Sequence, residues 1–161
     1  MLFFEYDNYE ANDINPKIKK MTLQQFIDYV ENNPEHEKQL HEIGDSDRNI
    51  LFFLDDLDKI KYLVEVKGVN VNQVSEDERN PMFFREADVV EFYHTKGLNI
   101  NAVDDNNNSV YTFADLDTAK KLLELGLDLS KDLISDLFNH HSSFIDETTY
   151  DKYNLLFSRK N

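Results

Sequence analysis

The chain has 161 residues, of which 40% are hydrophobic and 12 are Phe, so it is long enough and apolar enough to bury the core of one domain. Its 17 Lys and Arg face 32 Asp and Glu, and a formal net charge of −15 argues against direct binding to nucleic acid or to an anionic membrane surface. The sequence contains no Cys, which excludes disulfides, thiolate metal sites and cysteine nucleophiles.

The start of the chain predicts no targeting signal. Residues 1–7 are briefly apolar, carry no positively charged leader and are acidic by Glu5. No apolar run approaches the ~20 residues that a membrane-spanning helix needs. We therefore expect a cytoplasmic protein that contacts no membrane.

Residues 1–44 predict a helical N-terminal cap. Thr22 is suited to cap a helix that bears Phe26 and Val30 on one face, and Pro34 is suited to the first turn of a second helix. The cap precedes a repetitive region over residues 45–130, and both belong to a single domain over 1–161.

Three glycines divide the repetitive region. Gly68, Gly97 and Gly126 are separated by a constant 29 residues, and a period of ~20–50 residues indicates stacked supersecondary units. Apolar residues at helical spacing, such as Leu57 and Ile60, precede each glycine. Each glycine is therefore predicted to end a helix in the left-handed conformation that a β-carbon disfavours.

The remainder of each unit follows the same order. After the glycine comes an apolar-polar-apolar-polar tetrad, in which the Asn or Asp residues favour a turn by bonding nearby backbone. A polar loop and a short apolar cluster follow, and Pro81 in the second cluster suits a first helical turn. The sequence thus predicts a loop, a short helix, a longer helix and a glycine stop in each repeat.

These segments resemble the ankyrin-repeat family. Gly68-Val69-Asn70-Val71-Asn72 and Gly97-Leu98-Asn99-Ile100-Asn101 are similar to the family's Gly-Ala-Asp-Val-Asn, and Asn80-Pro81-Met82-Phe83 stands where its Thr-Pro-Leu-His would be. The units are shorter than the family's usual ~33 residues and lack its Ala-Ala-x-x-Gly connection. The resemblance implies an all-α solenoid of about three helical pairs.

Residues 131–161 predict a helical C-terminal cap, because a solenoid needs terminal elements that cover its last apolar face. Its two apolar stripes are Leu133, Ile134, Leu137 and Phe138, then Tyr150, Tyr153, Leu156 and Phe157.

No motif in the chain predicts catalysis, a cofactor or a metal. Asp104, Asn106 and Asn108 have the spacing of a calcium loop, but Ser109 stands where that loop requires glycine. The five histidines lack metal-ligand spacing, and no glycine-rich phosphate loop or nucleophile elbow is present. We expect a protein that is not an enzyme.

The placement of charge on the repeat is more informative. The resemblance implies that the loops and short helices hold partners, and we expect aromatic side chains near them to serve as anchors. Phe53, Phe84 and Thr112 occupy a position that the family leaves variable; core filling is the alternative for the rings, and solubility for the acids. The predicted partner-binding residues are Asp45, Asp47, Phe53, Asp55, Asp56, Glu76, Asp77, Glu78, Phe84, Glu86, Asp104, Asp105 and Asp115.

These features predict a monomeric scaffold that binds a basic protein. The resemblance extends to bacterial immunity proteins, which neutralise a toxin by covering its active site, and a cationic toxin domain would suit the acidic surface. Two alternatives stay open. One is a mimic of nucleic acid that inhibits a DNA-binding protein, and the other is an acidic metal-binding protein or enzyme.

Overall fold

A computed structural model describes residues 4–7, 10–128 and 146–158, which group into two compact units, Met1–Pro81 and Met82–Asn161. Apart from one pair of short strands, the described residues form helices, turns and loops, which confirms the predicted helical class. Within these residues, no helix combines the length and the apolar character needed to cross a bilayer. The single domain over 1–161 stays a prediction.

The first unit begins with two strands. β1 (Phe4–Asp7) pairs antiparallel with β2 (Glu10–Ile14), and the register shifts between Glu5 and Tyr6. The helical cap predicted over residues 1–44 is therefore corrected at its start. The sequence of β1 alternates apolar and polar residues, which is the period-of-two pattern typical of a strand.

Three helices complete this N-terminal region: α1 (Pro16–Lys20), α2 (Leu23–Glu31) and α3 (Pro34–Gln39). Thr22 caps α2 as predicted. Its side chain accepts a hydrogen bond from the Gln25 N–H at 3.2 Å, and the Gln25 side chain accepts one from the Thr22 N–H at 2.9 Å. Pro34 occupies the first turn of α3, also as predicted.

The first repeat contains a 3₁₀ turn, Ile50–Phe53, and α4 (Leu57–Lys61), which continues as a π turn over Tyr62–Val66. α4 packs against α2. Gly68 lies twelve positions after the N-cap Asp56, whereas Gly126 lies eleven positions after the N-cap Asp115 in the third repeat. The extra residue is accommodated by the π turn, in which the Lys67 N–H donates to the Tyr62 C=O at 3.1 Å.

The second unit contains α5 (Ala87–Thr95), α6 (Val110–Phe113), α7 (Leu116–Glu124) and α8 (Glu147–Ser158). α5 packs against α7, which in turn contacts α6 and α8. Large apolar side chains form the core of this unit, among them Met82, Phe83, Val90, Tyr93, Tyr111, Leu122 and Leu156.

The three glycines end their helices as predicted, with φ of +68° at Gly68, +88° at Gly97 and +94° at Gly126. After α5, the Gly97 N–H donates to the His94 C=O at 2.9 Å, and the next N–H donates to the Tyr93 C=O at 3.1 Å. The equivalent pair of bonds follows α7. These are Schellman motifs, which require a left-handed residue at the position that glycine occupies.

α8 turns Thr149, Lys152 and Leu156 inward, while Tyr150 and Phe157 are exposed. The predicted stripe of Tyr150, Tyr153, Leu156 and Phe157 is therefore only partly buried. The earlier stripe, residues 133–138, lies outside the described residues.

Lys152 is a buried charged side chain on α8 that the sequence pattern did not predict. Its Nζ donates to the backbone C=O of Tyr111 at 3.2 Å and of Thr112 at 2.9 Å, at the end of α6. The Tyr111 hydroxyl donates in return to the Lys152 C=O at 2.8 Å. Burial lowers the pKa of the Lys152 ammonium from its usual 10.5, against the attraction of Asp146 and Asp115.

Candidate partner-binding surface

One backbone turn recurs before each repeat, at residues 44–48 (loop 1), 75–79 (loop 2) and 104–108 (loop 3). In each loop, the N–H of the first residue donates to the C=O of the fifth, at 2.8, 2.9 and 2.9 Å respectively. The fourth residue of each loop has a left-handed backbone, with φ between 56° and 61° at Asp47, Glu78 and Asn107. The same closing bond and left-handed fourth residue therefore position the acids in all three loops, and loop 1 differs in that its third residue, Ser46, is also left-handed, with φ of 62°.

Loops 1 and 2 are joined to each other. The Glu76 N–H donates to the Ser46 C=O at 3.0 Å, and the Arg48 Nη2 lies 2.9 Å from the Asp77 Oδ2. Gln73, just before loop 2, donates its side-chain N–H to the Asp47 C=O at 2.8 Å. These contacts fix the two turns side by side.

The acids of these two loops differ in availability. Asp47, Glu76 and Glu78 are exposed. Asp77 is half-buried and sits between two cations, since Arg79 Nη1 lies 3.5 Å from the carboxylate that Arg48 also contacts. Asp45 belongs to loop 1, and only its backbone is described. Three exposed carboxylates therefore flank one carboxylate that is paired with two arginines.

Loop 3 uses its first acid differently. Asp104 is 2% exposed, and its Oδ1 accepts hydrogen bonds from the Asn106 N–H at 3.0 Å and the Asn108 N–H at 2.8 Å. The prediction that Asp104 contacts a partner is therefore corrected, because its carboxylate is enclosed by its own turn. Asp105 is exposed and accepts a hydrogen bond from the Asn106 side chain at 2.7 Å.

The predicted acids near the short helices lie at helix N-termini. The Asp56 carboxylate accepts hydrogen bonds from the Asp58 and Lys59 N–H groups at 3.0 and 3.2 Å, and the Asp115 carboxylate accepts one from the Thr118 N–H at 2.8 Å. Glu86, at the N-cap of α5, makes no side-chain capping bond. All these acids are exposed, as is Asp55, but capping occupies Asp56 and Asp115.

The three positions predicted near the aromatic anchors differ in their burial. Phe53 is only 8% exposed, so its assignment to the partner surface is corrected, and it fills the core of the first unit. Phe84 is 54% exposed. Thr112 is buried in a capping box with Ser109. The residue that corresponds to Phe84 in the next repeat is Phe113, and the centroids of the two rings are 4.6 Å apart. Sequence reasoning missed Phe113, although it follows Phe84 by the same 29-residue interval as the glycines.

The backbone at Phe84 is unusual. Its φ is +64°, which costs a residue with a β-carbon about 1–2 kcal/mol. Asn is enriched in this conformation, whereas for a bulky residue it is an outlier. The predicted short helix that begins at Pro81 is consequently absent, and a turn closed by the Arg85 N–H and the Met82 C=O at 3.3 Å replaces it.

An apolar position before each loop was also missed. Ile43, Val74 and Val103 are exposed, and each directly precedes the first residue of its loop. Their shared position in the repeat was visible in the sequence, but their exposure was not. Ile43 and Val74 add apolar surface beside the carboxylates of loops 1 and 2.

Across the described part of the chain, no cluster of three or more His, Asp or Glu side chains is arranged to hold a metal ion. Asp104, the first position of the calcium-like spacing, is bonded to its own loop, which explains the Asp and Asn residues there as turn chemistry. Neither a protein-family model nor a curated protein nor a solved structure matches the chain.

Proposed function

We propose that this protein is a non-enzymatic scaffold with ankyrin-type repeats, which binds a basic protein through loops 1 and 2. The observation that carries the proposal is the fixed pair of turns with Asp47, Glu76 and Glu78 exposed. Because the Glu76–Ser46 backbone bond already holds the turns, binding would not have to order them.

The chemistry of this surface favours a protein over a small ion. Its carboxylates are spread over two loops, with Arg48 and Arg79 between them, and exposed Ile43 and Val74 lie directly before the turns. A partner that carries Lys or Arg around an apolar contact would complement both features. Charge complementarity would also accelerate association, with rate constants reaching ~10⁸–10⁹ M⁻¹s⁻¹ at low salt.

The more specific proposal is a bacterial immunity protein that neutralises a cationic toxin. It follows from the resemblance to small acidic ankyrin-like immunity proteins and from the net charge of −15. Such a protein needs affinity and shape rather than chemistry of its own, in agreement with the absence of any catalytic motif from the sequence.

The test compares two triple variants with equal loss of charge. The loop variant carries Asp47→Asn, Glu76→Gln and Glu78→Gln, and the control carries Asp58→Asn, Glu91→Gln and Glu124→Gln, which are exposed positions on helices. Each protein is immobilised and used to capture proteins from a lysate of the source cells at about 50 mM salt. The captured protein is identified, purified and titrated.

We expect a basic protein that binds wild type and the control variant alike. The loop variant should bind it at least tenfold more weakly, and about 500 mM salt should weaken wild-type binding strongly. Inhibition of the partner's toxicity by the wild-type chain would support the immunity proposal. Equal binding by both triple variants, or salt-independent binding, would contradict the loop surface; competition by added DNA would favour the nucleic-acid mimic.

A further inference from the structure

The exposed Phe84 and the half-buried Phe113 form an aromatic pair within the second unit. Their ring centroids are 4.6 Å apart with an interplanar angle of 37°, and each centroid is 6.4 Å from that of the buried Phe83. Phe83 therefore belongs to the core, whereas Phe84 presents more than half of its surface to solvent.

The solvent-exposed half of the Phe84 side chain gains nothing from burial, and a φ of +64° is unfavourable for a bulky residue. Asn107 adopts nearly the same φ in loop 3, where it is the residue type suited to it. Strained backbone under an exposed aromatic side chain indicates a binding function.

Carboxylates follow both rings in the chain. Glu86 and Asp115 each come two residues after a phenylalanine, and Asp88 and Asp117 come two residues later; all four are exposed. They lie at the N-termini of α5 and α7, which pack together. Arg85, the cation between Phe84 and Glu86 in the chain, is half-buried.

Acids at helix N-termini have a structural explanation, since they compensate the helix dipole. It accounts for Asp115, which bonds the Thr118 N–H, better than for Glu86, which makes no capping bond. Glu86 is therefore the exposed carboxylate, two residues after Phe84, that helix capping does not account for.

Building on the proposed function, we propose that this aromatic pair receives an arginine side chain of the basic partner. The planar guanidinium would stack on the Phe84 ring and pair with the Glu86 carboxylate. Arginine suits this surface better than lysine, because its ion is planar, more weakly hydrated and able to stack on a ring while it donates hydrogen bonds in its plane.

The experiment uses two fluorescent probes, hexa-arginine and hexa-lysine, titrated by anisotropy into the full chain at about 50 mM salt. We expect wild type to bind hexa-arginine about 3- to 10-fold more tightly than hexa-lysine. Phe84→Asn should abolish this preference and leave hexa-lysine binding unchanged. Glu86→Gln should weaken hexa-arginine binding at least threefold, whereas the matched Glu91→Gln should not.

A site-specific signal is also accessible, because the sequence contains no Trp. In a Phe84→Trp variant, the single indole should change its fluorescence on addition of hexa-arginine and much less with hexa-lysine. Folding is controlled by thermal unfolding: Phe84→Asn should keep its midpoint within about 3 °C of wild type, whereas Phe83→Ala should lower it by about 10 °C.

Equal affinity of wild type for the two probes would overturn the arginine site, as would a preference that survives Phe84→Asn. A large fall in the unfolding midpoint of Phe84→Asn would assign the ring to the core instead. The proposed function fails separately, if the loop triple variant binds the captured partner as wild type does. An arginine preference without any loop effect would leave the aromatic site as the binding surface.

Discussion

Loops 2 and 3 share a backbone but use their acids in opposite ways. In loop 3 the carboxylate of Asp104 is buried and holds the Asn106 and Asn108 N–H groups. In loop 2 the equivalent position is Ser75, whose hydroxyl accepts from the Arg79 N–H at 3.3 Å, and the acids stand at the following three positions. A buried carboxylate stabilises loop 3, whereas the acids of loop 2 do not hold its turn.

This difference shows that a carboxylate in a loop is not automatically part of a binding surface. A buried acid bonded to backbone contributes to stability and is closed to a partner. An exposed acid contributes little to stability and is accessible to a partner. Loops 1 and 2, and not loop 3, therefore carry the proposed contact surface, and four measurements test the distinction.

The largest effect is expected at Asp104. Asp104→Ala should lower the free energy of unfolding by about 2–3 kcal/mol, because two N–H groups of a buried turn lose a charged acceptor. The matched Asp105→Ala should change it by less than about 0.5 kcal/mol. Urea unfolding measures both, and similar values for the two variants would contradict the contrast between buried and displayed acids.

Lys152 extends the comparison to a buried cation that holds backbone. Its pKa is lowered in the folded chain, so between that pKa and 10.5 the unfolded chain binds more protons. The free energy of unfolding should therefore rise with pH in this window, by less than about 1.4 kcal/mol per pH unit.

Urea titrations between about pH 8 and about pH 10 measure how the free energy of unfolding changes with pH in wild type and in Lys152→Gln. The substituted side chain keeps N–H donors but has no titratable charge. The variant should lack that part of the rise. Identical pH profiles would show that Lys152 does not carry it.

A smaller change in the free energy of unfolding is expected from substitutions at the left-handed residues of loops 2 and 3. Glu78→Gly should raise the free energy of unfolding by about 0.5–1 kcal/mol, because glycine adopts a φ of +61° without strain. Asn107→Gly should change it by less than about 0.5 kcal/mol, since Asn already tolerates this conformation. Thermal unfolding of the pair provides the measurement, and a larger gain at Asn107 would reverse the expected order.

The smallest effect is expected for the ion pair that joins loops 1 and 2. A double-mutant cycle with Arg48→Ala and Asp77→Ala should give a coupling energy of about 0.5–1 kcal/mol, because both side chains are partly exposed. High salt should reduce it. A coupling energy near zero would leave the Glu76–Ser46 backbone bond as the main link between the turns.

Local signals predicted much of the fold. Thr22, Pro34 and the three glycines act through their own backbone neighbourhood, so their positions follow from residue type and spacing alone. The strand pair β1–β2 was missed although β1 alternates apolar and polar residues, because four residues are too short a pattern to outweigh the expectation of a helical cap.

The site was less predictable, because exposure depends on residues distant in the chain. Phe53 and Phe84 end similar apolar clusters, yet one is buried and the other exposed. Asp77 is paired with Arg48, which lies 29 residues away in the chain, so the sequence alone does not distinguish it from an unpaired acid. The sequence pattern also predicted Thr112 as the residue that corresponds to Phe84, whereas in the structure Phe113 takes that role.

By itself, the sequence determined a helical chain with a 29-residue period, its glycine stops and its excess of 15 negative charges. Only the tertiary structure decided which of those charges face solvent, that Asp104 and Lys152 are buried against backbone, and that Phe84 stands on a strained turn. The physical reason is that helix ends and turns depend on bonds between near neighbours, whereas burial and ion pairing depend on which distant segments the fold brings together.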